Sequence, residues 1–160
     1  MESTENTNEK NKKQKILIIV LLIAVVMLGV GLFHALHSDD LETSKTAVIV
    51  QTNEELSDTS GGQVRIRINS AVQVYEDTMQ DLAFANLNEG RQLQCRIKVG
   101  DTYVYNSGLI KSGDIVQADV IDTSALQQGK NTATAEIYSY DMDKDLIGQT
   151  NTIIDLYLND

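Results

Sequence analysis

The chain has no proline and no tryptophan, one cysteine, two histidines and only 5% aromatic residues in a length of 160. Each shortage closes off something. With so few aromatics, any core must be assembled from Val, Ile, Leu and Ala. A single thiol, Cys95, cannot form a disulfide within the chain, so burial alone must hold the fold together. Both histidines, His34 and His37, precede Ser38, which removes the commonest general base from everything that follows. Positive charge is also scarce. The net charge is −10, and after Phe33 nine bases stand against 20 acids, leaving −11. A segment this acidic repels phosphate backbones, so nucleic-acid binding is excluded as an expectation.

What is present begins with an apolar run. Ile16 to Phe33 contains no charged residue. As a helix it would rise about 27 Å, close to the thickness of a hydrocarbon core, and no ordinary strand is that long. Lys10, Lys12, Lys13 and Lys15 abut its start, whereas Asp39, Asp40 and Glu42 follow it and no lysine appears until Lys45. The positive-inside rule therefore predicts a cytoplasmic basic tail over 1–15, a single transmembrane helix over 16–34 and an extracellular remainder. The run is longer than a signal-peptide core, and Phe33-His34-Ala35 is a poor cleavage site, so an uncleaved plasma-membrane anchor is expected over a cleaved leader. A pilin-type leader would want a small residue at the processing site and a Glu within the helix, and Lys15-Ile16 offers neither. His34 and His37 lie three apart, but two ligands make a poor metal site; interfacial residues closing the helix are the expected role.

Residues 35–62, rich in Ser, Thr, Asp and Glu and ending in Ser60-Gly61-Gly62, read as an extracytoplasmic polar stalk, with Thr46 to Gln51 as a lone strand or a short helical continuation. From Gln63 the pattern has period two, which predicts a β domain over 63–160. Val64, Ile66 and Ile68 share one face and Arg65 and Arg67 the other, with a bend at Asn69-Ser70. The clearest unit is a hairpin, in which Leu93, Cys95, Ile97 and Val99 alternate with Gln94, Arg96 and Lys98, and Gly100-Asp101 forms a two-residue turn. Unbroken register would set Val99 opposite Thr102, Ile97 opposite Val104 and Cys95 opposite Asn106 on the core face. It would set Lys98 opposite Tyr103 and Arg96 opposite Tyr105 on the outer face. Further strands are expected over 115–121, 132–140 and 146–158. About seven strands at this spacing predict a mainly β chain, an immunoglobulin-like β-sandwich behind the single helix.

Tyr105-Asn-Ser-Gly-Leu-Ile-Lys-Ser-Gly113, Gly129-Lys-Asn-Thr-Ala-Thr-Ala135, Tyr140-Asp141 and Gly148-Gln149 together resemble small surface proteins of Gram-positive bacteria. These carry an N-terminal anchor or signal and one β-sandwich domain. The resemblance covers residues from about 90 to 158, with Ser112-Gly113 standing where Pro-Gly is frequent. It implies a fold and a surface location, and no chemistry.

Two side-chain groups deserve weighing as sites. Arg96, Lys98, Tyr103 and Tyr105 would form an exposed aromatic and cationic patch able to stack sugars or anchor a protein, although ordinary outward-face sheet pairing is the favoured reading, since Tyr is common on strands. Asp141, Asp143 and Asp145 are the candidate calcium ligands. Leu146 and Thr152 occupy the places where a calcium loop needs Gly and Glu, and Lys144 opposes a cation, so a solvated hairpin turn is the expected reading. No catalytic residue, resident metal or cofactor is expected. Architecture and composition point to a non-catalytic membrane-anchored protein-interaction module, an accessory or structural subunit of a cell-surface, secretion or conjugation-type assembly with a protein partner in the envelope. The alternative is a cell-wall polysaccharide-binding module using the tyrosine face. Homo-oligomerisation stays open at this stage.

Overall fold

A computed structural model describes residues 41–59 and 62–159. The expected tail and membrane span, over 1–34, lie outside the described residues. Among the described residues no helix is long and apolar enough to cross a membrane. The described residues are mainly β, forming ten strands: β1 (Val48–Gln51), β2 (Ile66–Arg67), β3 (Ala71–Tyr75), β4 (Thr78–Gln80), β5 (Phe84–Asn86), β6 (Gln92–Val99), β7 (Thr102–Ile110), β8 (Asp114–Val120), β9 (Gly129–Tyr140) and β10 (Leu146–Asn159).

Seven strands were expected. The additional ones are short pieces that a periodicity reading merges or passes over. Glu76-Asp77, expected only to break the pattern, instead turns β3 back as β4, pairing Tyr75 with Thr78 and holding Glu76 at φ 54°. The chain bends at Asn69-Ser70 as its sequence suggests, because it changes sheets there. β2 pairs with β5, whereas β3 pairs in parallel with the end of β10. The hydrogen-bonded order is β2-β5-β8-β4-β3-β10-β9-β6-β7, with β1 added on β8. β8 links the two layers, pairing with β1 and β5 through its first residues and with β4 through its last.

Between the layers lies an aliphatic core. Val72, Val74, Met79, Leu82, Phe84, Leu93, Ile97, Ile110, Val116, Ile154 and Leu156 are all fully buried or nearly so. At roughly 1.5–3 kcal/mol per buried aliphatic or aromatic side chain, these residues supply most of the driving force for folding, as the absence of disulfides demands. Cys95 sits among them, buried and reduced, as its alternation implies.

The polar stalk expected over 35–62 needs correcting in its described part. β1 pairs with β8, Ala47 and Ile49 pack against the core, and the compact unit begins at Leu41. The Ser44 N–H donates to the Ser107 carbonyl at 2.9 Å and Thr43 Oγ1 to the Leu109 carbonyl at 2.5 Å. Gly108 makes this approach feasible. It holds φ 60°, and a Cβ there would lie 1.7 Å from the Glu42 carbonyl oxygen. Polar composition concealed the segment because its hydroxyls serve a buried acid. Ser44 Oγ and Thr46 Oγ1 both donate to Asp119 Oδ1, at 3.0 and 2.5 Å.

Candidate functional site

The hairpin closes as its sequence predicts, with Val99 opposite Thr102 and Lys98 opposite Tyr103 around Gly100-Asp101. Beyond that the register breaks. A bulge between Ile97 and Lys98 sets Ile97 opposite Tyr105 and Arg96 opposite Asn106. Val104 and Tyr105 both end up buried, at 3% and 6% exposure. The expected pairing of Arg96 with Tyr105 is therefore corrected: Tyr105 leaves the outer face. Its destination explains why. Asp119 is 1% exposed, and Tyr105 donates its hydroxyl to Asp119 Oδ2 at 3.0 Å. A buried carboxylate needs donors, and the bulge delivers one. Burial first, and the neighbouring Asp119 second, push the Tyr105 hydroxyl pKa upward.

Arg96, Lys98 and Tyr103 remain outside, where β9 joins them. Arg96 lies opposite Glu136 and Gln94 opposite Tyr138 in the β6–β9 ladder. The outward row of β9 thus brings Glu136, Tyr138 and Tyr140 beside the hairpin. Glu136 is the hub. Lys98 Nζ approaches its Oε1 at 2.6 Å, while the hydroxyls of Tyr103 and Tyr138 both donate to Oε2 at 2.8 Å. The hydrogen bond from Lys98 is the largest influence on the carboxyl. With help from the two tyrosines it outweighs burial and brings the pKa from 4.5 down to about 2. The same contact raises the Lys98 pKa, while burial foremost, then the bond to Glu136, raises that of Tyr138.

Arg96 stacks on Tyr103 with its guanidinium carbon 4.1 Å from the ring centroid, inside cation–π range. Its Nε is buried without a hydrogen-bond partner. Tyr140 donates to Gln94 Oε1 at 3.0 Å, and Gln94 Nε2 donates to Asn106 Oδ1 at 2.9 Å, which extends the ordered polar face along β6. Tyr103 remains 43% exposed at its centre. Sequence reasoning found three of these residues and missed Glu136, Tyr138 and Tyr140. Their signal was the even-numbered row of β9, but nothing local says that β9 lies beside β6.

The face holds its charges fixed rather than poised for proton transfer: Glu136 stays ionised far below neutral pH. Cys95 lies beneath it, and burial pushes its thiol pKa well above the usual range. The other sequence candidate resolves into turn chemistry. Asp141 Oδ1 accepts the backbone N–H groups of Asp143 and Asp145, each at 2.9 Å, and Lys144 takes φ 68° to close the β9–β10 turn. Among the described residues no group of three or more His, Cys, Asp or Glu is placed to hold a metal ion. Compared with known protein families and with curated proteins, the chain matches none.

Proposed function

We propose that this chain is a non-catalytic interaction module, anchored in the plasma membrane by residues 16–34, whose β7–β6–β9 face meets a protein partner outside the cell. The carrying observation is the order already present on that face. Arg96 is stacked, Lys98 is paired, and two tyrosines are fixed on one carboxylate before any partner arrives. Tyr and Arg are the residues that concentrate binding energy at protein interfaces, and pre-ordered side chains lose less entropy on association. The two-layer, largely antiparallel layout supports an immunoglobulin-like kinship for the sandwich. It is compatible with a small subunit of a Gram-positive surface, secretion or conjugation-type assembly.

A protein partner is favoured over wall polysaccharide for a geometric reason. Sugar stacking needs an open aromatic face, and Arg96 already occupies one face of Tyr103. Tyr105, the expected second platform, is in the core. A photo-crosslinking residue at position 134, on the outward row of β9 beside Lys98, in intact cells tests the reading. One discrete protein adduct is expected, absent when the probe sits at exposed position 76 and lost on Arg96→Ala. Crosslinking only to glycan, or adducts insensitive to Arg96→Ala, would refute it.

A further inference from the structure

β10 is paired along its whole length with β9, but β3 joins its other side only from Asp155 onward. The Asp155 N–H donates to the Ser70 carbonyl on the β3 side. Backbone groups alternate along a strand, so Gln149, Asn151 and Ile153 direct theirs to the same side, where the ladder gives them no strand partner. Leu146 to Ile153 contains no charged residue, in a chain of net charge −10. Ile153 and Leu146 are 61% and 56% exposed. A long, uncharged edge without proline, with exposed aliphatic residues at both ends, is the kind that soluble β proteins normally protect with charge, proline or cover.

A groove of about 300 Å³ runs beside this edge, between β10 and the strand of the facing layer, lined by Val64, Ile66, Ile137, Ser139 and Thr150. The Ser139 hydroxyl, in a residue only 5% exposed, has no hydrogen-bond partner there. Gly148 lies directly across the ladder from Ser139, and a side chain at 148 would meet nothing within 4 Å.

We infer that the occupant of this edge is a second copy of the chain, its β10 running antiparallel about a two-fold axis at Thr150. The strand is complementary to itself in that register. Ile147 faces Ile153 of the second copy, Gln149 faces Asn151, and both interior pairs bring edge-directed backbone groups together. Gly148 faces Thr152 of the second copy, which sets that hydroxyl in the row of Ser139 across the open space at Gly148. Moving the register toward the C-terminus drives the incoming strand into Ser70. Moving it the other way sets Ile153 against Asp145. The pairing ends at Ile147 and Ile153: two residues further on, Asp145 of the second copy would come opposite Asp155, whose edge side Ser70 already takes and whose carboxylate Lys130 holds at 2.9 Å. An isologous contact of this kind closes on itself and makes a dimer, not a fibre. It uses a different part of the sheet from the Tyr103 face and stands or falls separately.

The test uses the full chain in mild detergent, with Thr150→Cys. The two copies of position 150 form a non-hydrogen-bonded pair with Cα atoms about 4.5 Å apart, within disulfide range. Cys95, buried, stays silent. Mild oxidation is expected to convert the variant to a covalent dimer, while exposed Thr102→Cys stays monomeric. Adding Asn151→Pro removes an edge N–H without touching the β9 ladder, and is expected to cut cross-linking about tenfold. Equal cross-linking at 150 and 102, no effect of Asn151→Pro, adducts only with a different protein, or a protein monomer by light scattering at micromolar concentration would each overturn the inference.

Discussion

Replacing Gly108 with alanine tests whether the segment before β1 belongs to the folded domain. Two costs arise. The first is conformational, since alanine at φ 60° costs about 1–2 kcal/mol. The second is a collision, because the new Cβ would sit 1.7 Å from the Glu42 carbonyl oxygen and 2.3 Å from its carbon, both backbone atoms that cannot rotate away. The cheapest relief is for residues 42–46 to lift off. That forfeits the Ser44 and Thr43 bonds to β7, at about 0.5–1.5 kcal/mol each, and two hydroxyl donors to Asp119, at about 1.5–3 kcal/mol each. Freed backbone regains about 1–2 kcal/mol per residue, which offsets most of this loss. A net destabilisation of about 1–3 kcal/mol, the conformational cost plus a small remainder, is expected in urea unfolding followed by tyrosine fluorescence, together with new trypsin cleavage at Lys45. Gly90→Ala is the control. Gly90 holds φ 65° with nothing within 4 Å of an added Cβ, so it isolates the conformational cost. If Gly108→Ala is no more destabilising than Gly90→Ala and Lys45 stays protected, the reasoning fails.

Three other outcomes are expected. Tyr105→Phe removes a buried donor from Asp119 and should destabilise by about 1–3 kcal/mol in urea titration, whereas Tyr103→Phe, at a half-exposed site, should cost less than about 1 kcal/mol. Glu136 has a folded pKa of about 2 against an ordinary 4.5, so its contribution is complete above 4.5 and disappears as pH falls toward 2. The shift corresponds to about 3 kcal/mol, which screening at this surface cluster reduces to about 1–2 kcal/mol. Thermal melts of Glu136→Gln should accordingly show a shallower loss of stability between pH 4.5 and 2 than wild type. Asp141→Ala unties the β9–β10 turn by removing the acceptor for two N–H groups, and should lower stability by about 0.5–2 kcal/mol while added calcium leaves the wild-type melting temperature unchanged.

Much of the fold was legible because it is local. The Gly100-Asp101 turn, the inward Cys95 and Ile97, and the bend at Asn69-Ser70 all follow from alternation and turn residues. What failed was set at long range. Tyr105 turns inward for Asp119, on another strand, and a period-two reading has no means of inserting the bulge that this needs. Residues 41–59 looked like a stalk because hydroxyls serving a buried carboxylate are indistinguishable by composition from hydroxyls in water. The site was half visible for the same reason: Arg96, Lys98 and Tyr103 share a hairpin, but Glu136, Tyr138 and Tyr140 reach them only through a strand pairing between distant segments.

The position of β10 also governs when the domain can fold. From Asp155 onward this strand lies in the interior of the layer, between β3 and β9, and its Ile154 and Leu156 help complete the core. During synthesis β3 therefore emerges long before its neighbour, and non-local pairing must wait for residues near 159 to clear the ribosome. A chain truncated ahead of Ile154 would leave β3 without that neighbour and the core unclosed, a product for proteases and not a shortened working domain.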